Sequence, residues 1–286
     1  MLINRVKTAA ILAVLGALFI LIGGAIGRGP GLVIGLLLGL AVTGGSYWFS
    51  DTVAIKASRA QPVTEAQMPE YYAIVRELCQ RGGWPMPRLY VTPDQQPNAF
   101  ATGRNPEHAA VAVTAGILQI VSWDELRGVL AHEMSHVGNR DILISSVAAA
   151  VAMAITFLAR MAAFASLFGG ERQDEGQNVF ETLALIILAP LAAALLQMAL
   201  SRSREFDADL SGARLIGDGE PLARALEKLD RAAGQIPMPT ARPEMAGMYI
   251  VNPLRRRQVN FAKWFADHPP TAERVARLRS REWARS

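Results

Sequence analysis

Four stretches of this chain carry no charged residue: Thr8–Gly27, Gly29–Ser50, Ile142–Ala159 and Thr182–Ser201. Each is roughly 20 residues long, the length a helix rising 1.5 Å per residue needs to cross about 30 Å of hydrocarbon. They hold the charged fraction of the whole chain to 19 %, against about 25 % in an ordinary soluble domain. The pattern predicts a mainly α integral membrane protein with four transmembrane helices in two hairpins. Tyr47, Trp48 and Phe49 close the second stretch as an interfacial aromatic belt would. The third runs into Arg160, which either snorkels to the interface or faces protein. The fourth holds Pro190, which neighbouring helices can accommodate. The competing reading of the last two stretches is a hairpin buried in a soluble domain or lying in the interface.

Basic residues set the orientation. Arg5 and Lys7 precede the first stretch, and Arg202, Arg204 and Arg214 follow the fourth. The loop between the third and fourth is acidic, with Glu171, Asp174, Glu175 and Glu181. The positive-inside rule then puts both termini and the large polar segments in the cytoplasm. The first apolar run is too long for a signal-peptide core, and a second follows the turn Arg28-Gly29-Pro30-Gly31. Cys79 is the only cysteine, so no intrachain disulfide forms. It sits in a helix-like stretch and reads as a packed apolar residue. The net charge of +4 reflects arginines near the C-terminus, and no nucleic-acid motif accompanies it.

The apolar pairs divide the chain into an N-terminal hairpin (1–50), a polar region (51–141), a second hairpin (142–201) and a polar tail (202–286). In the first polar region Thr64 and Gln67 are spaced as a capping box, and Gly82-Gly83-Trp84-Pro85 ends the helix they would open. Short strand-like runs follow at Arg88–Thr92, Asn98–Thr102 and Ala109–Thr114. Ser122 with Glu125 is a second capping box, and Gly138-Asn139 is a natural helix end. The tail carries helical patterns at Arg204–Ile216, Pro221–Ala233 and Thr271–Arg281. Between the last two lies a Pro-, Met- and Gly-rich segment, Gly234–Pro253, suited to a mobile loop over a cleft.

The helix opened by Ser122 carries His132-Glu133-Met134-Ser135-His136. Residues four apart share a helix face, so both imidazoles can aim at one tetrahedral cation, most commonly zinc. Glu133 lies about 100° round the helix, beside such a cation but free to take a proton from an attacking water. A catalytic zinc needs a third protein ligand. A third histidine six residues beyond His136 is excluded, because Ile142 stands there and Asn139 replaces the expected glycine. The remaining histidines are His108, in a polar loop and read as exposed, and His268.

A carboxylate is the better third donor. Glu205 and Asp209 are four apart in Ser201-Arg202-Ser203-Arg204-Glu205-Phe206-Asp207-Ala208-Asp209, so one can ligate while the other accepts the N–H of a ligating histidine. Glu205 follows the fourth apolar stretch directly, and HEMSH lies just before the third. An antiparallel hairpin would bring both to one membrane face, so the spans join the halves of one metal site.

HEMSH, two apolar stretches, SRSREFDAD, PNAFATG upstream and HPPTAERVARL at the end together resemble the HtpX family of membrane zinc metalloproteases, with type I CAAX prenyl proteases as more distant relatives. The resemblance covers nearly the whole chain. It implies a cytoplasmic α+β zincin-like domain, with the HExxH helix and a small β-sheet, on a multi-pass protein of the inner membrane. It implies one zinc held by His132, His136 and Glu205, with Glu133 as general acid/base and His268 steadying the oxyanion; Asp209 is then the carboxylate left to orient a ligating histidine. Asn98, Ala99 and Phe100 fall in the segment that lines the family's active site, where an edge strand would hold extended substrate. The implied activity is endopeptidase action on damaged or misassembled membrane proteins. The rival class is a membrane transporter or scaffold with a structural or sensing metal. A zinc buried within the bilayer is excluded by Glu125, Arg127, Arg140 and Asp141 around HEMSH.

Overall fold

The computed structural model describes residues 2–153, 202–254 and 269–284. The fourth apolar stretch, the third beyond Met153, and His268 lie outside the described residues.

Helix α1 runs from Leu2 to Ala57, across Pro30. Its path is not a rod. A Cβ on Gly35 would stand 2.3 Å from the Phe19 carbonyl oxygen, and one on Gly39 would stand 3.4 Å from the Gly16 Cα. On a straight helix residues 16 and 39 would be roughly 35 Å apart. The helix therefore folds back, and glycine lets the two arms touch. The second arm exposes Leu32, Val33, Ile34, Leu36, Leu37, Leu38 and Leu40, a continuous apolar surface that water would not tolerate. Among the described residues Gly29–Ala57 is the one helical stretch long and apolar enough to cross a membrane. Helix α5 (Asp141–Met153) is the described start of the third stretch and is mostly buried.

A four-stranded mixed sheet stands against these helices. Strands β1 (Gln61–Pro62), β2 (Arg88–Thr92), β3 (Ala99–Gly103) and β4 (Ala109–Thr114) take the order β1-β2-β4-β3, with β2 and β4 parallel and the other pairs antiparallel. Alternation along β3 and β4 sends Ala99, Ala101, Val111 and Val113 into one core and Phe100, Ala110 and Ala112 into the other. The sheet is thus buried on both faces, and β3 forms its edge beside the site.

Helices α2 (Pro69–Gly82), α3 (Ala115–Ile120), α4 (Trp123–Gly138), α6 (Arg202–Ile216), α7 (Glu220–Ala233) and α8 (Thr271–Arg279) complete the described fold. Ser122 and Glu125 make the expected capping box on α4. Thr64 and Gln67 do not open α2. Gln67 Oε1 accepts from Thr64 N at 2.9 Å to close a preceding turn, and the helix starts at Pro69. A proline suits the first helical position because its missing N–H would have no intrahelical partner there. Cys79 is buried in α2, and burial pushes its thiol up to about 11, which makes it inert.

Candidate metal centre

Two glycines let the site assemble. A Cβ on Gly212 of α6 would stand 2.9 Å from the His132 backbone N, and one on Gly128 of α4 would stand 2.4 Å from Leu222 N of α7. Helices α4 and α6 thus meet backbone to backbone, bringing the acidic pair of α6 up to the histidines of α4. Gly212→Val should push the two helices apart, cutting zinc affinity at least tenfold as well as lowering the melting temperature. Isothermal titration with zinc checks this, and unchanged affinity would contradict it.

The convergence is close. His132 Nε2 lies 3.2 Å from His136 Nε2 and 3.8 Å from Glu205 Oε2, and His136 Nε2 lies 3.5 Å from Glu205 Oε1. Ligands about 2.0–2.1 Å from a tetrahedral zinc stand about 3.4 Å from one another. The two imidazole nitrogens and the Glu205 carboxylate therefore stand at spacings close to those of one face of a zinc tetrahedron. Two imidazoles and a carboxylate are also the donor chemistry of catalytic zinc sites with one position left for substrate or water. Among the described residues these are the three grouped as a metal site.

Each histidine is held through its other nitrogen. His132 Nδ1 is 2.9 Å from Asp209 Oδ1, and His136 Nδ1 is 3.2 Å from Asp141 Oδ2. A carboxylate only accepts, so each Nδ1 carries a proton and Nε2 is the nitrogen left to face the metal position. Asp141 reaches back because α4 ends at Asn139 and Arg140 turns the chain with φ 61°. Asp209 is gripped in turn by Arg274 of α8. Arg274 Nε and a terminal nitrogen donate to its two oxygens at 2.8 and 2.7 Å, and another terminal nitrogen donates to the Ile250 carbonyl at 2.9 Å. Arg274 is 1 % exposed, so this is a buried, bidentate pair.

Glu133 is buried beside the three donors. Burial, helped by the Glu205 charge, pushes its carboxyl up to about 7 against the pull of His136. A carboxyl poised there both takes and returns protons near neutrality. A divalent cation at the donors would draw it down again. Burial works against protonation of His136, yet the Asp141 hydrogen bond and the Glu205 and Glu133 charges raise it to about 9. A cation must displace that proton on binding.

The cleft over Glu133 is walled by Ala101 of β3, Ile142 and Ser145 of α5, and Gly247, Met248 and Tyr249. The Gly234–Pro253 segment does stand over the cleft, but as a packed strap rather than a loose loop. Met238, Ala241, Met245, Ala246, Tyr249 and Val251 are buried. Gln96 Nε2 donates to the Ile236 carbonyl at 2.6 Å, and Thr240 Oγ1 donates to Asp94 at 2.7 Å.

The strap also covers Asn98, Ala99 and Phe100, the residues expected to bind substrate. All three are fully buried. Asn98 Nδ2 donates to the Val251 carbonyl at 2.8 Å, and the Ala99 carbonyl accepts from Ile250 N at 3.1 Å. Phe100 packs edge-on against Tyr249 in the core. The strap occupies this part of the strand edge, so β3 meets the cleft at Ala101. His108 is exposed, as expected, with Nδ1 on Asn105 Oδ1 at 2.8 Å.

Comparison with known proteins agrees with this geometry. Residues 65–282 match peptidase family M48. A "Protease HtpX homolog" of Syntrophobacter fumaroxidans is 51 % identical over 281 residues, covering 97 % of this chain and 99 % of the relative. Another, from Paraburkholderia phytofirmans, is 50 % identical over 279 residues, covering 96 % of each. The crystal structure of Ste24p from S. mikatae shares the fold, with a TM-score of 0.53 at 19 % identity over 97 % of this chain, which spans 66 % of that structure. The zinc-type donor set and half-identity along nearly the whole sequence lead to one conclusion: this chain belongs to peptidase family M48, the zinc-dependent metalloproteases that include the membrane-associated HtpX proteins.

Proposed function

We propose that this protein is a multi-pass endopeptidase of the cytoplasmic (inner) membrane that hydrolyses misfolded or damaged membrane proteins from the cytoplasmic side. The observation that supports this reading best is the placing of Glu133 in a buried cleft beside three converging metal donors. His132, His136 and Glu205 would hold the zinc, which when bound supplies a Lewis acid for the scissile carbonyl and an acidified water.

The rest of the chemistry belongs to the chain. Asp209 and Asp141 keep both imidazoles in the tautomer that offers Nε2. Glu133 takes the proton of the attacking water on its carboxylate and delivers it to the leaving amine nitrogen. No covalent enzyme intermediate is required. His268, which precedes Pro269-Pro270 at the start of α8, is assigned the role of donor to the developing oxyanion. Four transmembrane helices and a cytoplasmic catalytic domain follow from the apolar stretches and the distribution of arginines.

The test is cleavage of an unfolded protein by the detergent-purified enzyme with zinc, wild type beside Glu133→Gln. Cleavage by wild type alone supports the assignment. Equal cleavage by both would move the chemistry elsewhere. Glu205→Ala should lose bound zinc in the same preparations, and full zinc content in that variant would remove Glu205 from the ligand set.

A further inference from the structure

Two apolar helices distant in sequence hold the same strand. Ala54 and Ile55 of α1 share one core cluster with Phe100 of β3 and Ala149 of α5. Ser146 of α5 bonds Thr102 Oγ1 at 2.8 Å and accepts from Gly103 N at 3.2 Å. The residue after β3, Arg104, lays its guanidinium 4.7 Å from the centroid of the Trp48 ring. Trp48 and Phe49 are 56 % and 61 % exposed, at the end of the exposed apolar arm of α1. Aromatic rings that end a membrane-length apolar helix mark the headgroup level, and a guanidinium over one of them fits that boundary. One residue beyond the aromatic triplet plus Ser50, Asp51 pairs with Arg88 of β2, so the polar side begins at once.

The cleft lies close to this level. Ala101, which lines it beside Glu133, precedes Arg104 by three residues, about 10 Å of extended strand. The headgroup layer itself is roughly 5–8 Å deep. On its other wall the cleft is lined by Asp141, Ile142 and Ser145, the first turns of the apolar helix α5. The strap covers the opposite end of the strand through Ile250 and Tyr249.

We propose that the cleft opens at headgroup level and takes extended polypeptide where it leaves the bilayer, so that cuts fall within roughly ten residues of the end of a substrate's membrane span. The proposal rests on the peptidase reading and adds a distance to it. Its substrate class is the juxtamembrane segment of a membrane protein, rather than a soluble domain or a long free loop.

Two measurements decide it. The enzyme is reconstituted in vesicles of phosphatidylcholine and phosphatidylglycerol with a single-span protein bearing a long unstructured tail of uniform composition. Cut sites are mapped by mass spectrometry. Cuts clustered within about ten residues of the span, at a rate at least tenfold above that on the same tail freed from its span, are expected. Cuts spread evenly along the tail, or equal cutting of the freed tail, would overturn the proposal. Independently of catalysis, His108→Cys places a fluorophore on the exposed turn next to Arg104; the buried, inert Cys79 does not compete for label. Quenching by headgroup-labelled lipid is expected, and quenching by aqueous iodide alone would refute the placement. Absence of any cut by wild type would sink the peptidase reading, and quenching would then decide the position of the cleft alone.

Discussion

Glu133→Gln retains zinc and loses turnover by a factor on the order of 10³, the range a general acid/base supplies, equivalent to about 4 kcal/mol of transition-state stabilisation. The amide matches the carboxylate in size, so the buried cleft between α4 and β3 keeps its shape. It cannot hold a proton for transfer from water to the amine. The three metal donors are untouched, since Glu133 points to the cleft and His132, His136 and Glu205 converge on each other. The fall should appear in kcat, with KM little changed, in steady-state cleavage of a fluorogenic peptide. Zinc content by atomic absorption should stay near one per chain. A variant that loses its zinc together with its activity would show that Glu133 holds the metal.

Arg274→Met strips the charge partner from a buried carboxylate. Asp209 is 2 % exposed and receives two hydrogen bonds from Arg274. Removing one member of such a pair typically destabilises by about 3–5 kcal/mol, because the remaining charge stays buried. Burial raises the Asp209 carboxyl, and the guanidinium more than offsets it, holding the group below its ordinary range. Without Arg274 the carboxyl tends to protonate and its grip on His132 Nδ1 fails. Zinc affinity should then drop about 10- to 100-fold, as for other groups that orient metal ligands. Arg274 also bonds the Ile250 carbonyl, so the strap over the cleft loosens in the same variant. The double variant Arg274→Met/Asp209→Leu should recover much of the melting temperature, as apolar replacement of a buried pair usually does. It should not recover zinc affinity, because His132 still lacks its orienting acceptor. Recovery of both would mean that the pair serves stability alone.

The local features of the site were legible because they depend on neighbours within a turn or two of helix. Four-residue spacing put His132 with His136 and Glu205 with Asp209, and the capping box at Ser122 fixed where the HEMSH helix begins. The strand Arg88–Thr92 and the strand Ala109–Thr114 were marked by β-branched residues and the prolines and glycines around them. Charge-free length was enough for the apolar arm of α1. None of these needs knowledge of what lies across the molecule.

Only the tertiary structure decided the rest. Nothing in the helical pattern Thr271–Arg281 singled out Arg274, and its place beside His132 is set by packing across 142 residues of sequence. Asp141 read as a boundary charge, and the left-handed turn at Arg140 made it the partner of His136. Asn98 read as a substrate contact, whereas the strap, 153 residues away, takes its hydrogen bonds. Sequence determines residue type and local periodicity; which buried polar group meets which partner is settled by how the elements pack. A buried charge or amide is tolerated only where that packing supplies its complement.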